Sequence, residues 1–208
     1  MFDLTSIQPI VKDGTTVITS PVRLVSSSIF SRQTDGDFAS NKYEVTIAFD
    51  KEKSPELYQA IMGALRQAEE TGKTNLWGGT TPSNLHCCLR AKAEYDDKGN
   101  AIESNTYYLT ARSDFEPKHF DASRKKLTSE NEFFPGCYVR IQVEFYPWHR
   151  TNEEKSGISA SLYVVQKLPS SSAYVDMDDF FIPEVEDFQP RTPSPEDRLG
   201  DDGAELPF

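Results

Sequence analysis

The sequence predicts a mainly β domain, a small closed or partly closed antiparallel barrel with one principal helix and long loop insertions, followed by a disordered acidic tail. Three observations carry that expectation. Residues 136–148, GCYVRIQVEFYPW, alternate for almost their whole length: Cys137, Val139, Ile141, Val143 and Phe145 share one side, and Tyr138, Arg140, Gln142, Glu144 and Tyr146 the other. A period of two in such residues marks a strand with one buried face. A second run, GISASLYVVQ, offers Ile158, Ala160, Leu162 and Val164 as a matching buried row. Finally, strand-like and helix-like segments do not alternate, which disfavours a doubly wound sheet, whereas closure of an antiparallel sheet removes its unprotected edges. A two-sheet sandwich satisfies the same pattern.

Taken in order, residues 1–14 read as an irregular lead-in closed by the turn residues Asp13-Gly14. TTVITSPVRLVSSSIF (15–30) is extended chain that Pro21 bends or places at an edge, because proline offers no donor to a neighbouring strand. After a polar loop, KYEVTIAFD puts Tyr43, Val45, Ile47 and Phe49 on one face. Ser54-Pro55 opens the one convincing helix, serine as a cap and proline at the first helical position. Leu57, Ile61, Leu65 and Ala68 form its apolar stripe, and Gly72 is its expected stop. Loop 73–84 carries Trp77. LHCCLRAKAEY (85–95) then reads as one strand, with His86, Cys88, Arg90, Lys92 and Glu94 outward. NTYYLTARS places Tyr107, Leu109 and Ala111 on one face and Tyr108, Thr110 and Arg112 on the other. Residues 114–135 are a long excursion containing the basic triplet Arg124, Lys125 and Lys126.

The chain has 208 residues, enough for one domain plus extras. No apolar run approaches the length of a membrane span, and the N-terminus lacks the pattern of a signal or anchor. Cys87, Cys88 and Cys137 form no disulfide framework and read as reduced, intracellular thiols, the adjacent pair facing opposite ways. Taken as a bulk number, the net charge of -11 argues against a nucleic-acid partner, but its distribution reverses that inference. Residues 174–208 hold 11 acidic and 2 basic side chains; residues 1–173 hold 22 acidic and 20 basic. The body is nearly neutral and can gather its cations locally. The expected organisation is a folded body over 1–168 and a disordered acidic tail over 169–208.

The outward faces of the middle strands combine Arg90, Lys92, Arg112 and Arg140 with Tyr108, Tyr138 and Tyr146, and Trp77 lies in a neighbouring loop. Cations meet phosphates and rings stack on unpaired bases, a combination suited to single strands. The bland alternative is that such residues are ordinary on exposed strands, where they also cover apolar surface. Lys125 and Lys126 are either a phosphate-contacting arm or a solvated charge run, and Trp77 is either a movable ring or a plug at the barrel end. The tail, a tethered polyanion, would compete with nucleic acid for a basic groove. Its end, Asp201, Asp202, Glu205, Leu206, Pro207 and Phe208, sets an aromatic beside a free carboxylate, a compact ligand for a partner pocket. No HExxH, CxxC, GxGxxG or phosphate-loop motif occurs, so neither catalytic residues nor a metal site are assigned, and no cofactor is required. Asp114, Glu116 and His119 read more simply as part of a polar loop. A protein-interaction or virion-associated β domain without nucleic-acid binding is the alternative function.

GCYVRIQVEFYPW with its continuation HR, and GISASLYVVQKL, resemble the bacteriophage single-stranded-DNA-binding proteins built on an oligonucleotide/oligosaccharide-binding (OB) barrel, over residues 1–168. The tail separately resembles the acidic C-termini of phage and bacterial single-stranded-DNA-binding proteins, with Leu206-Pro207-Phe208 standing where bacterial proteins have Ile-Pro-Phe. The resemblance implies a non-enzymatic protein in the cytoplasm of the infected bacterial host. It would coat single-stranded DNA during replication, recombination or repair, and its tail would recruit phage or host replication and recombination proteins. It implies no membrane association and allows a homodimer. One departure is plain: the common five-stranded barrel places its helix between the third and fourth strands, whereas here the helix follows Phe49. Either Thr15–Phe30 holds two strand segments or the connectivity is a variant.

Overall fold

The computed structural model describes residues 4–34, 40–95 and 98–169. The acidic tail expected over 169–208 therefore lies, beyond its first residue, outside the described residues.

Alternation in the sequence becomes a buried row in each long strand. In β4 (Tyr43–Asp50) Val45, Ile47 and Phe49 are buried; in β9 (Thr106–Ser113) Leu109 and Ala111 are. The long hairpin of β11 (Tyr138–Arg150) and β12 (Lys155–Lys167) buries Val139, Ile141, Val143 and Phe145 against Ile158, Ala160 and Leu162. Each large apolar side chain so removed from water contributes roughly 1.5–3 kcal/mol. Val164 does not complete the row as expected. A bulge opposite Gln142/Val143 leaves Tyr163 as an extra residue and reverses the phase, so Val165 is buried instead.

Five strands close a ring. β3 (Val22–Ser28) pairs with β4, β4 with β9, β9 with β12, β12 with β11, and β11 returns to β3. All these pairings are antiparallel except β9–β12. The expected mainly β, OB-like arrangement is thus present, and the topological ambiguity is resolved in both its parts. Thr15–Phe30 does hold two strand segments, β2 (Thr16–Ile18) and β3, but both pair with β11 and act as one bent ring strand. The bend falls at Thr19–Pro21, where the ladder slips by one residue and the Thr19 hydroxyl accepts the Ile141 N–H at 3.1 Å. The helix still follows the second ring strand, so the connectivity is the variant one.

Other expectations are corrected. The lead-in forms a short strand, β1 (Ile10–Lys12), which turns through Asp13 and Gly14, both at positive φ, to pair with β2. The single strand expected over 85–95 is three pieces, β5 (His86–Cys87), β6 (Leu89–Ala91) and β7 (Glu94–Tyr95), the last paired with β8 (Ala101–Ile102). At Cys88 the chain changes partner: its N–H donates to Ile158 O and its carbonyl accepts from Thr110 N, each at 3.1 Å. β5 thus pairs with β12 and β6 with β9, wedging the ring open where β9 and β12 diverge. The kink also brings the Cys87 and Cys88 thiols into contact instead of facing them apart; the Cys88 thiol holds Cys87 down at about 6, while Cys88 itself is pushed up. The 114–135 excursion contains β10 (Lys118–Phe120), which continues the line of β9 along β12, and buries His119, Leu127 and Phe133.

The helix α1 (Pro55–Asn75) packs its buried Leu57, Ile61, Ala64, Leu65 and Ala68 mainly on β11 and β2. Pro55 begins it as expected, but Ser54 makes no side-chain cap. Asp50 Oδ1 instead accepts the N–H groups of Glu52 (2.7 Å) and Lys53 (3.0 Å). Gly72 does not stop the helix. It is buried beneath Trp77, whose ring atoms lie 2.6 Å from where a Cβ would be, and its carbonyl accepts from Leu76 and Trp77. Among the described residues no helix is long and apolar enough to cross a membrane.

Candidate nucleic-acid interface

With Val22 and Leu24 turned inward, Arg23 is left on the outer face of β3. Its register partners define a row that crosses five strands: Tyr138 on β11, Arg23 on β3, Ala48 on β4, Tyr108 on β9 and Arg90 on β6. At about 4.8 Å per strand the row is roughly 19 Å long. Arginine and tyrosine adjoin at each end, and Ala48 leaves a low floor between them. The Arg23 guanidinium carbon stands 5.7 Å from the Tyr138 ring centroid, which orients the cation without neutralising it.

Charge pairing elsewhere sharpens the contrast. Arg112 is held by Glu44 across β4–β9 at 2.5 Å, Lys92 by Glu94 at 3.7 Å and Lys126 by Glu116 at 3.7 Å. Among the described residues neither Arg23 nor Arg90 meets a carboxylate in an ion pair. Two further rows lie beyond the first on the same face. Ser26, Thr46 and Thr110 form one, with the two threonine hydroxyls 3.1 Å apart; Ser28, Glu44 and Arg112 form the next.

The sequence-predicted residues therefore divide. Arg90, Tyr108 and Tyr138 come together in the central row, and Arg112 is two rows away on the same face. Lys92 follows β6 directly, its N–H bonded to Thr106 O. Arg140 is occupied: Nε donates to Thr19 O at 2.7 Å and Nη2 to Gln8 O at 3.1 Å, and burial lowers its pKa. It fastens the bend in the first ring strand. Tyr146 is exposed on β11, eight residues, or about 26 Å, from Tyr138. Trp77 packs on Gly72 and donates Nε1–H to Trp148 O at 3.3 Å, apart from the central row. Lys125 sits in a tight loop, its N–H bonded to Asp121 Oδ1 at 2.8 Å, next to Lys126. The tail residues Asp201, Asp202, Glu205, Leu206, Pro207 and Phe208 lie outside the described residues.

Two features escaped the sequence reading. One is Arg23. The other is a stack at the β11–β12 hairpin, where Trp148, Gly157 and His86 are register neighbours. Because Gly157 has no side chain, the Trp148 and His86 rings meet above it at 6.0 Å, with Arg150 5.6 Å from the Trp148 ring. Among the described residues no three His, Cys, Asp or Glu side chains gather as a metal site. His119 is buried, with Nδ1 2.9 Å from Pro117 O, and its Nε2 is 3.8 Å from Glu116.

The fold is similar to the single-stranded DNA-binding protein from bacteriophage Enc34 in complex with ssDNA, at 17% identity and a TM-score of 0.62, over 77% of this chain and 89% of that one. A further structure of the Enc34 protein gives 19% identity and a TM-score of 0.60 over 83% and 93%. Gp2.5, a single-stranded DNA-binding protein encoded by bacteriophage T7, gives 12% identity and a TM-score of 0.51 over 80% and 97%. Among curated proteins a sequence comparison finds no match. The family described as Enterobacter phage Enc34, ssDNA-binding protein, matches residues 15–179, leaving out the β1 lead-in and taking in the first residues of the acidic segment. With most of its length inside that match, the chain belongs to the Enc34 single-stranded-DNA-binding protein family.

Proposed function

We propose that this protein binds single-stranded DNA, largely without regard to sequence and without a catalytic step, protecting it during phage replication, recombination or repair. The observation that carries the reading is the outward row Tyr138–Arg23–Ala48–Tyr108–Arg90, whose two guanidinium groups meet no carboxylate among the described residues, in a chain of this family. Rings offered flat on a sheet accept any base, while the guanidinium groups beside them meet the backbone. A duplex, whose bases are already stacked, gains little from such rings. The face is also the one that OB folds use for oligonucleotides, since β4 and β9 are the second and third ring strands.

The acidic residues after 169 act on this face as a tethered competitor, and the terminal Leu206-Pro207-Phe208 addresses replication and recombination partners. The protein works in the cytoplasm of the infected host, where a homodimer joined through the tail is compatible with these roles. The test is a titration of labelled oligonucleotides against matched duplexes, by full-length protein and by a chain ending at residue 169. Strong single-strand preference, weakening with salt, and tighter binding by the shortened chain are expected. Equal affinity for duplex would overturn the central reading. Unchanged affinity after shortening would remove only the competition model.

A further inference from the structure

Phe115 is 83% exposed, the most solvent-exposed large apolar side chain among the described residues. A solitary exposed ring needs no explanation, but the backbone that carries this one is fastened. It lies on the short excursion between β9 and β10. There its N–H donates to Ser113 Oγ at 3.1 Å, Arg32 Nη2 donates to the preceding carbonyl of Asp114 at 2.8 Å, and Lys42 pairs with the Asp114 carboxylate at 3.1 Å. The Arg32 guanidinium carbon is also 5.8 Å from the Tyr43 ring, and Tyr43 is the register partner of Ser113. Cation and ring again adjoin, as in the central row, and the nearby acids are answered: Asp114 by Lys42 and Glu116 by Lys126.

A second observation links this corner to the row. A polar cleft of about 130 Å³ opens on the outer face, lined by Ser26, Ser27, Ser28, Gln33 and Glu44. Ser26 belongs to the row next to Arg23 and Ala48, while Gln33 follows Arg32 and donates its N–H to Lys42 O at 3.0 Å. The cleft thus lies between the row beside Arg23 and the residue that follows Arg32, and it offers serine hydroxyls and an amide, groups that meet sugar and phosphate, while its carboxylate, Glu44, is held by Arg112.

We infer that Phe115 forms a second contact site for single-stranded DNA, a stacking ring beyond the serine-lined cleft, on a corner that Arg32 fastens by donating to Asn41 O at 3.4 Å and Asp114 O at 2.8 Å. This rests on the single-stranded-DNA reading above and extends it by giving the bound strand a direction off the row. Tyr108 and Ser113 are five residues apart, about 16 Å along β9. At about 3.4 Å per stacked nucleotide that distance adds roughly five nucleotides, and fewer if the strand is extended. A strand of five nucleotides fills the central row alone; one of fifteen reaches both sites.

The experiment titrates dT5 and dT15 with the full-length protein and with Phe115→Ala. Loss of one stacked base corresponds to about 5- to 150-fold in affinity. The variant is expected to lose that much on dT15 and less than twofold on dT5. Equal loss on both lengths would place Phe115 within the central site, and no loss on either would leave it outside the DNA path; both outcomes overturn the inference. Phe115→Trp supplies a direct readout, with fluorescence beyond that of the native tryptophans expected to be quenched by dT15 and not by dT5. Absence of that quenching likewise overturns it. If the unaltered protein binds neither oligonucleotide, the proposed function itself has failed. If it binds both and Phe115→Ala matches it, only the second site has.

Discussion

Replacing Arg23 and Arg90 by alanine should weaken single-strand binding in a way that salt reveals. Each cation that meets a phosphate of a single strand contributes about 0.7 to the slope of log affinity against log salt. Among the described residues neither guanidinium has a carboxylate partner, so each is free to make that contact in full. The slope should fall by about 0.7 in either single variant and about 1.4 in the double. Counted from 1 M salt, one decade, this corresponds at 0.1 M to roughly fivefold weaker binding per residue and about 25-fold for both. The assay is fluorescence anisotropy of a labelled oligonucleotide over 0.05–0.5 M salt, with Arg66→Ala on the exposed side of α1 as the control that leaves the slope unchanged. A double variant with the parental slope would refute the reasoning, because the cations that meet phosphate would then lie elsewhere. A uniform loss of affinity at unchanged slope would also refute it, assigning the arginines a packing role.

Three further expectations rest on other parts of the fold. Gly72→Ala places a Cβ 2.6 Å from the Trp77 ring and should destabilise by about 1–2 kcal/mol, whereas Gly63→Ala meets nothing within 4 Å and should stabilise by about 0.5–1 kcal/mol. Thermal melts of the two variants should shift in opposite directions, and shifts of the same sign would contradict the packing. Asp50→Ala, which removes the hydrogen bonds from the Glu52 and Lys53 N–H groups in the turn before α1, should cost about 1 kcal/mol, while Ser54→Ala should stay within about 0.5 kcal/mol; chemical denaturation distinguishes them. The hydrogen bond from the Cys88 thiol holds Cys87 at about 6, so Cys87 is a thiolate at neutral pH and loses that character as pH falls through 6. Alkylation of Cys87, followed by mass spectrometry, should therefore be half-maximal near pH 6, and Cys88→Ala should move that midpoint upward.

Much of the ring was legible because burial on one face writes itself into a strand as a period of two. β4, β9 and β11 keep one phase throughout, and their outward tyrosines could be named from sequence. Where the phase breaks, reading from one strand end misplaces everything beyond. Val17 is buried, and strict alternation from it would turn Arg23 inward. The slip at Thr19–Pro21 reverses the phase, so no facing read from the start of the segment reaches Arg23 correctly. Pro21 signalled the bend but not its effect on facing. Tyr163 does the same in β12. The change of partner at Cys88 depends on how far β9 and β12 diverge, a property of the assembled ring that no local pattern contains. Arg140 and Trp77 show the converse limit. A guanidinium can fasten backbone carbonyls as readily as phosphates, and an indole can fill the space above a glycine as readily as stack on a base.

The central claim is that a single strand lies across the outer face of β11, β3, β4, β9 and β6, over two tyrosines. Photocross-linking with an oligonucleotide carrying 5-iododeoxyuridine, followed by mass-spectrometric mapping, tests it most directly because the adducts form with aromatic side chains in contact with the base. The account predicts adducts on Tyr108 and Tyr138. Adducts confined to Tyr58 on α1 or Tyr95 on β7, with Tyr108 and Tyr138 unmodified, would contradict it.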